Sequence, residues 1–172
     1  MEAGYRIERA RRSQLGALPA IESAAAVRFA GLGIANAVLT DETDHEELEE
    51  ARANGWLLVA IAPGGEVVGF ALGESLDDGA HLEEVDVLPA HGRRGVGGAL
   101  VEAICDDARR RGCAAVTLTT FREIPWNEPF YRRLGFEELA AADLTPELEE
   151  RVAEETARGL DPARRLVMRR VL

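Results

Sequence analysis

The stretch PAHGRRGVGGALVEA (Pro89–Ala103) constrains the fold of this chain more than any other segment. It holds four glycines and two arginines, follows the strand-like run HLEEVDVL (His81–Leu88) and continues into an apolar helix-like pattern. Glycines let a backbone approach a ligand closely, and the first turn of a helix presents free N–H groups to an anion. The segment therefore predicts a phosphate-binding loop between a strand and a helix. A glycine-rich helix start that only permits tight packing is the alternative.

Two common types of phosphate loop do not fit this segment. A Walker-type loop needs a lysine beside the terminal phosphates, and all twenty basic residues of this chain are arginines. The dinucleotide pattern GxGxxG needs a third glycine where this chain has Leu100, and it follows the first strand of its unit rather than a late one. The loop is therefore predicted to bind neither a nucleoside triphosphate nor a dinucleotide.

Hydrophobic periodicity and turn residues predict a mixed order of helices and strands along the chain. A helix from Thr145 is the best marked, because Thr145 suits the N-cap and Pro146 the first helical position. The order indicates one α/β (α+β) domain over residues 1–172 with a mixed sheet. The predicted elements are a strand at Tyr5–Ala10, helices at Pro19–Ala30 and Asp44–Gly55, strands at Trp56–Ala62, Glu66–Leu76 and His81–Leu88, a helix at Gly95–Arg111, a strand at Ala115–Phe121, a helix at Asn127–Leu134, a strand from Phe136, the helix from Thr145 and a C-terminal strand.

The charge balance limits the class of partner. Thirty-one acidic residues against twenty basic ones give a net charge of −11. Binding to nucleic acid needs a basic surface, so no nucleic-acid partner is expected. An acidic field attracts cationic molecules such as amines, although an acidic surface that only aids solubility explains the balance equally well.

The remaining composition points to a cytoplasmic protein without a metal. Cys105 and Cys113 are the only cysteines and have no histidine cluster around them, so we expect reduced thiols, no disulfide framework and no metal site. No apolar run approaches the length of a membrane-spanning helix, and the N-terminus has no signal-like apolar region. We therefore expect no membrane association and a cytoplasmic location.

The segment VDVLPAHGRRGVGGALVEA resembles the acyl-CoA loop of the GNAT superfamily of N-acetyltransferases, a strand followed by [QR]xxGx[GA] and a helix. The departure is Gly92, where the family has Gln or Arg. Most of the binding depends on backbone N–H groups, so this departure weakens the resemblance only slightly. The resemblance implies that coenzyme A is bound by Arg93, Arg94, Gly95, Val96, Gly97, Gly98 and Ala99.

A second motif supports the same family. WNEPFYRRLGF (Trp126–Phe136) resembles the superfamily's later motif, in which an Asn precedes a short helix beside the pantetheine arm. The resemblance implies that Asn127 and Tyr131 contact the cofactor and that Tyr131 protonates the departing thiolate, although three residues between them are fewer than usual. A tyrosine that only packs against Phe130 and Phe136 is the alternative.

The family also implies a mixed, mostly antiparallel central sheet flanked by helices, with acetyl-CoA as cosubstrate. Val85 and Val87 would pair with pantetheine through their main chains, and Val87 would also polarise the thioester carbonyl. Acetyl transfer would then be direct, within a ternary complex, and would need no metal.

The strand HLEEVDVL carries the candidate bases. Alternation predicts that His81, Glu83, Val85 and Val87 share one face and that Leu82, Glu84, Asp86 and Leu88 share the other. Counting back from Val87, as family bases are placed, gives Glu83 as the first candidate for general base and His81 as the second, either as a proton relay or as an alternative base. A Glu83 that only pairs with a nearby arginine is the alternative. Glu84 and Asp86 are expected to be structural or to face the acceptor.

Several functional alternatives remain open at this point. The expected acceptor is a small-molecule amine, with a peptide N-terminus or lysine as a second choice. A non-catalytic acyl-CoA-binding sensor or partner domain, transfer to a hydroxyl, and transfer of a longer acyl group are rivals. The C-terminal RRLVMRRVL is predicted to form either an edge strand or a homodimer contact.

Overall fold

The computed structural model describes residues 1–34, 43–77 and 79–172. Its centre is a seven-stranded sheet in the order β1-β2-β3-β4-β5-β7-β6, in which every neighbouring pair is antiparallel except the parallel pair β4–β5. The mixed, mostly antiparallel sheet predicted above is therefore confirmed. The strands are β1 (Arg6–Arg9), β2 (Leu57–Ile61), β3 (Val67–Leu76), β4 (Gly79–Val87), β5 (Ala115–Phe121), β6 (Glu137–Glu138) and β7 (Arg165–Val171).

Helices cover both faces of the sheet, as the fold class requires. One of them begins at the predicted cap, where the Thr145 hydroxyl accepts from the Leu148 N–H. At the start of the second predicted helix, the Asp44 side chain likewise accepts from the Glu47 N–H. In the described residues the helices are α1 (Leu18–Ala26), α2 (His45–Asn54), α3 (Val96–Arg110), α4 (Glu128–Arg133) and α5 (Pro146–Ala157).

Alternating residues of the sheet fill two separate cores. On one face, Phe70 and Leu72 of β3 pack with Leu18 and Ile21 of α1 and with Leu48 of α2. On the other face, the first turn and apolar stripe of α3 pack against β2 to β5 and β7; the α3 residues in this core are Val96, Leu100, Val101, Ile104, Cys105 and Ala108. Burial of these apolar faces is what holds α3 and the glycine-rich segment before it against the sheet.

A β-bulge in β4 corrects the predicted alternation. Leu72 of β3 pairs with Glu84, but the next residue, Gly73, pairs with Leu82, so Glu83 is an extra residue in β4. The bulge reverses the faces that follow it: Val85 packs towards α3 together with Leu82. The prediction that His81, Glu83, Val85 and Val87 share one face is therefore wrong. Strict alternation holds only in a strand without an inserted residue.

Strands β4 and β5 separate beyond the bulge. Their parallel pairing covers only Ala80–Leu82 opposite Val116–Leu118. From Glu84 to Val87, β4 is paired with β3 alone among the described residues. A gap therefore opens in the sheet beside Val85 and Val87, and their main chains on that side are available to a ligand.

The C-terminal strand is not the edge strand that was one of its two predicted environments. Strand β7 pairs with β5 along its whole length, and the two-residue β6 covers its other side at Met168 and Arg169. It is therefore next to the edge rather than at the edge. A homodimer contact through this strand stays a prediction.

Candidate active site

The glycine loop, residues 92–98, runs from the end of β4 into the first turn of α3. Gly95 is the N-cap and has φ 76°, a left-handed conformation that favours glycine. A Cβ there would come within 2.9 Å of the Met1 backbone. The first N–H groups of α3 have no partner within the helix, so they are available to an anion. The loop therefore has the backbone geometry predicted for phosphate binding.

The two arginines of the loop are on its surface. Arg93 has φ 59°, a strained value for a residue with a Cβ, and its side chain is exposed. Arg94 forms an ion pair of 3.0 Å with Glu2, and this contact raises the pKa of the guanidinium. Binding of the cofactor by these two arginines stays a prediction.

Helix α4 lies against the start of α3. A Cβ at Gly97 would be 3.8 Å from both the Phe130 ring and a Val87 methyl group, which places α4, the loop and the end of β4 in contact. A Cβ at Gly98 would be 3.7 Å from the side chain of Leu134, the residue that follows α4. The two sequence motifs, 28 or more residues apart in the chain, are thus neighbours in the fold.

Tyr131 combines aromatic packing with a protonated hydroxyl. Its half-buried ring makes edge contacts with Phe130 and Phe136 at centroid distances of 5.0 and 5.9 Å. Its hydroxyl has no hydrogen bond to a described residue. Burial, followed by the negative charge of Asp86, raises the pKa of Tyr131 above its ordinary value of 10. The phenol is therefore fully protonated at neutral pH, the form that can give a proton to a thiolate.

Asn127 acts on α4 through its main chain. Its carbonyl oxygen accepts hydrogen bonds from the N–H groups of Phe130 and Tyr131, at 2.9 and 3.1 Å. It therefore fixes the first turn of the helix that carries Tyr131. A contact of the Asn127 side chain with the cofactor stays a prediction.

An acidic cavity of about 480 Å³ lies on the α1–α2 side of the sheet, between β4 and α5. Among the described residues, seven carboxyl groups and three arginines surround it. We refer to it below as the acidic cavity; its lining is Glu22, Thr43, Asp44, Glu47, Leu72, His81, Glu83, Glu84, Arg151, Glu154, Glu155, Arg158, Leu160 and Arg165. The bulge brings His81, Glu83 and Glu84, which the sequence predicted on two faces, to this one cavity.

Glu83 has the protonation equilibrium of a general base. Its carboxyl pKa is raised to about 7, first by burial and then by the nearby charge of Glu74, while Arg151 opposes the shift. The Glu83 Oε1 atom lies 3.2 Å from Arg151 Nη1, so the ion pair considered as an alternative is present. Arg151 also pairs with Glu74 and Glu154, and its charge is divided among three carboxylates. The pairing therefore does not hold the Glu83 pKa low, and a base role remains compatible with it.

His81 is almost completely buried, with 1% of its surface exposed. Burial, together with the positive charges of Arg151 and Arg165, lowers the pKa of its imidazole to about 3. His81 is therefore neutral at physiological pH and is a weak base there. Its Nδ1 atom lies 2.9 Å from Thr117 Oγ1, and a role for His81 as a proton relay or alternative base stays a prediction.

Three further carboxyl groups meet behind Glu83. Thr43 donates its N–H to Glu22 and its hydroxyl to Glu84, the latter at 3.1 Å. Burial and mutual repulsion raise the pKa of Glu22 to about 8, that of Asp86 to about 6 and that of Glu84 well above its ordinary value. A nearby cation would lower these pKa values and favour the ionised forms.

Sequence reasoning missed Glu22, Arg151 and Arg165 as members of the site. Arg151 lies in α5, and no local signal shows that this helix packs across the end of β4.

Cys105 is buried and Cys113 half-buried, both as free thiols. Within the described ranges, no group of three or more His, Cys, Asp or Glu side chains is arranged to hold a metal ion. In the same part of the chain, no helix has the length and apolar character needed to cross a membrane.

The match to a family model identifies the class of protein. Residues 24–136 match the acetyltransferase (GNAT) family, and these residues include the bulged strand, the glycine loop and α4. The chain belongs to this family, as its motifs predicted.

Individual relatives agree with this assignment. A glucosamine 6-phosphate N-acetyltransferase of Trypanosoma brucei brucei is 38% identical over 56 residues, which are 33% of this chain and 36% of that protein. The matched region thus spans about a third of that relative. A PaiA N-acetyltransferase of Thermoplasma acidophilum, solved with coenzyme A, superimposes with TM-score 0.74 at 15% identity over 98% of this chain and 99% of that one. A ribosomal-protein-alanine N-acetyltransferase of Brucella melitensis gives TM-score 0.69 at 24% identity, over 97% and 99%. At these identities the two structures show likeness of fold.

Proposed function

We propose that this protein transfers the acetyl group of acetyl-CoA directly to the primary amine of a small cationic molecule. The observation that carries the proposal is the acidic cavity, which places Glu83 next to the point where β4 and β5 separate. On the other side of that gap lie the glycine loop and α4. A cofactor and an amine approaching from opposite faces of the sheet would therefore meet at the bulge.

The cofactor would be held mainly by the backbone. The family and the neighbour solved with coenzyme A support the glycine loop as the pyrophosphate site, with Arg93 and Arg94 adding positive charge. The pantetheine arm would fill the gap beside Val85 and Val87 and pair with their main chains. The aromatic side chains of α4 would close the gap from the α3 side.

The reaction would use one base and one acid. An ammonium acceptor loses a proton to ionised Glu83, directly or through water, and the free amine attacks the thioester carbonyl. The new C–N bond forms as the C–S bond breaks, and Tyr131 gives its proton to the departing sulfur. The nitrogen loses its second proton through solvent to the Tyr131 phenolate, and Glu83 releases its own proton to solvent, so that both groups are restored. The main chain of Val87 polarises the carbonyl on which negative charge develops. The acetyl group passes directly from sulfur to nitrogen.

The charge of the acidic cavity favours a cationic acceptor. Arg151 is shared among three carboxylates and Arg165 pairs with Glu155, which leaves Arg158 as the third arginine of a lining that holds seven carboxyl groups. Small amines with a second positive charge fit this lining better than a sugar phosphate. The cavity volume suits a small molecule, and a peptide N-terminus or lysine is the second choice. A cytoplasmic location, one domain over residues 1–172 and a homodimer remain predictions.

Binding and turnover test the proposal separately. Calorimetric titration with acetyl-CoA should give heat with 1:1 stoichiometry, and no binding would refute the assignment of the loop. Thiol release should then be measured with three probes: 1,4-diaminobutane, glucosamine 6-phosphate and a tetrapeptide with an N-terminal alanine. We expect the diamine to be the best acceptor by at least about tenfold in kcat/KM. A preference for the phosphate or the peptide would contradict the acceptor class.

The Tyr131→Phe variant tests the general acid. It keeps the ring contacts with Phe130 and Phe136 and removes only the hydroxyl. We expect kcat to fall by about ten- to a hundredfold with unchanged affinity for acetyl-CoA. An unchanged kcat would show that Tyr131 only packs.

A further inference from the structure

His81 and Thr117 are direct neighbours in the short parallel pairing of β4 with β5. The His81 Nδ1 atom lies 2.9 Å from Thr117 Oγ1, and the same hydroxyl oxygen lies 3.3 Å from the Ala80 carbonyl oxygen. All three groups are thus linked through one hydroxyl, which has a single proton to donate.

The number of protons determines the direction of both hydrogen bonds. The Ala80 carbonyl can only accept, so the Thr117 hydroxyl must donate to it for that contact to be a hydrogen bond. The Thr117 oxygen is then an acceptor towards His81, and His81 Nδ1 must carry the proton. The opposite arrangement would leave the Thr117 oxygen and the Ala80 carbonyl oxygen facing each other without a proton between them.

The other ring nitrogen of His81, Nε2, is not engaged by Thr117. His81 lines the acidic cavity, and its Nε2 atom makes no hydrogen bond to a described residue. With the proton on Nδ1, Nε2 presents a lone pair. The charged groups around it are Glu74 on β3, Glu83 and Glu84 on β4, Arg151 on α5 and Arg165 on β7.

We propose that Thr117 is a positioning residue that holds His81 in the Nδ1–H tautomer, so that Nε2 accepts a hydrogen bond from the amine of the acetyl acceptor. This inference rests on the proposed function. One N–H of the acceptor nitrogen is then directed to His81 and another to Glu83, which takes the proton. His81 orients the nitrogen without being protonated, and the lowering of its pKa to about 3 by burial agrees with that role.

Long-range ¹H–¹⁵N correlation spectra of histidine-labelled protein measure the tautomer directly. The chain has three histidines, and His81→Gln assigns the signals of His81 by their disappearance. We expect the Nδ1–H tautomer in the wild type from pH 6 to 8. Thr117→Ser, which keeps the hydroxyl, should retain it, and Thr117→Val should yield a mixture or the other tautomer. An Nε2–H tautomer in the wild type overturns the proposal, whatever the activity of the protein.

Kinetics of the same variants test the consequence. For 1,4-diaminobutane we expect Thr117→Val to lower kcat/KM about tenfold, as for the loss of one directed hydrogen bond, and to leave the KM for acetyl-CoA unchanged. Thr117→Ser should stay within about twofold of the wild type. Melting curves check that both variants fold. A Thr117→Val protein that loses the Nδ1–H tautomer but keeps its acceptor kcat/KM overturns the role of Nε2.

The two proposals fail in different ways. A wild type with the Nδ1–H tautomer that acetylates none of the probes refutes the proposed function and the contact of Nε2 with an acceptor, but not the action of Thr117 on the tautomer. A wild type that acetylates the diamine and has the Nε2–H tautomer refutes the inference and leaves the function intact.

Discussion

The glycine loop and the acidic cavity perform their roles by different physical means. The loop uses backbone geometry: a left-handed Gly95 and the free N–H groups of one helix end, all within a few consecutive residues. The cavity uses side chains from α1, α2, β4, α5 and β7, whose pKa values depend on mutual burial and charge. A backbone site depends on local sequence, whereas a side-chain site depends on how distant elements pack.

This difference predicts that a change of one atom matters most in the cavity. Glu83→Gln keeps the size of the side chain and removes the base, so we expect kcat/KM for the acceptor to fall about 10²–10³-fold. In the wild type the same constant should rise as pH increases through about 7, because Glu83 must be ionised to accept a proton. The variant should lose this pH dependence while binding acetyl-CoA normally. A variant that keeps both the rate and the rise of kcat/KM with pH would show that His81 or another group is the base.

In the loop, by contrast, the sensitive change is one of backbone conformation. Gly95→Ala places a Cβ at a left-handed residue and against the Met1 backbone. We expect about tenfold weaker binding of acetyl-CoA by calorimetry and a loss of ~1 kcal/mol in unfolding free energy. Gly112→Ala is the matched control, since Gly112 has φ 83° and open space around it. It should cost similar stability and leave cofactor affinity unchanged. Equal losses of affinity in both variants would contradict the loop assignment.

The contrast also explains what the sequence could predict. Strand β5 was predicted with its observed bounds, and the cap at Thr145 was identified because its signal is local. The helix predicted at Pro19–Ala30 ends earlier, since α1 stops at Ala26 and a 3₁₀ turn follows at Val27–Phe29. The glycine-loop motif was recognised for the same local reason.

The bulge at Glu83 had no such signal. HLEEVDVL contains neither glycine nor proline, and its pattern is compatible with regular alternation. The inserted residue appears only when the pairing with β3 is known. Likewise, the contact between Arg151 and Glu83 depends on where α5 packs, which periodicity does not specify. The residues of the cavity were therefore only partly predictable, although Glu83 and His81 were chosen from the family's spacing.

Arg151→Gln tests the acidic cavity by changing the pKa of Glu83 rather than by removing the base. Arg151 lowers the pKa of Glu83. Its loss should therefore move the pH at which kcat/KM for the acceptor rises from about 7 to a higher value. We expect a shift of roughly half to one pH unit. Arg158→Gln is the control, because Arg158 is exposed and its opposing effect on Glu83 is smaller. An unchanged pH dependence of kcat/KM in Arg151→Gln would show that it arises from a group other than Glu83.

The smallest expected effect concerns stability, and it separates the cavity from the loop without any substrate. The folded-state pKa of Glu22 is about 8, above its ordinary value of 4.5, so folding favours the protonated form. Its contribution to stability is complete below about pH 4.5 and is lost as pH rises through about 8. Glu22→Gln cannot ionise, and we expect its Tm at pH 8 to exceed that of the wild type by roughly 2–4 °C. This difference should vanish at pH 4.

Glu150→Gln, which removes an exposed carboxylate from α5, should not reproduce this gain in Tm. A Glu22→Gln protein less stable than the wild type at pH 8 would show that Glu22 is ionised in the folded state. In that case the hydrogen bonds from Thr43 would outweigh burial, and the cavity would carry its full negative charge before any amine binds.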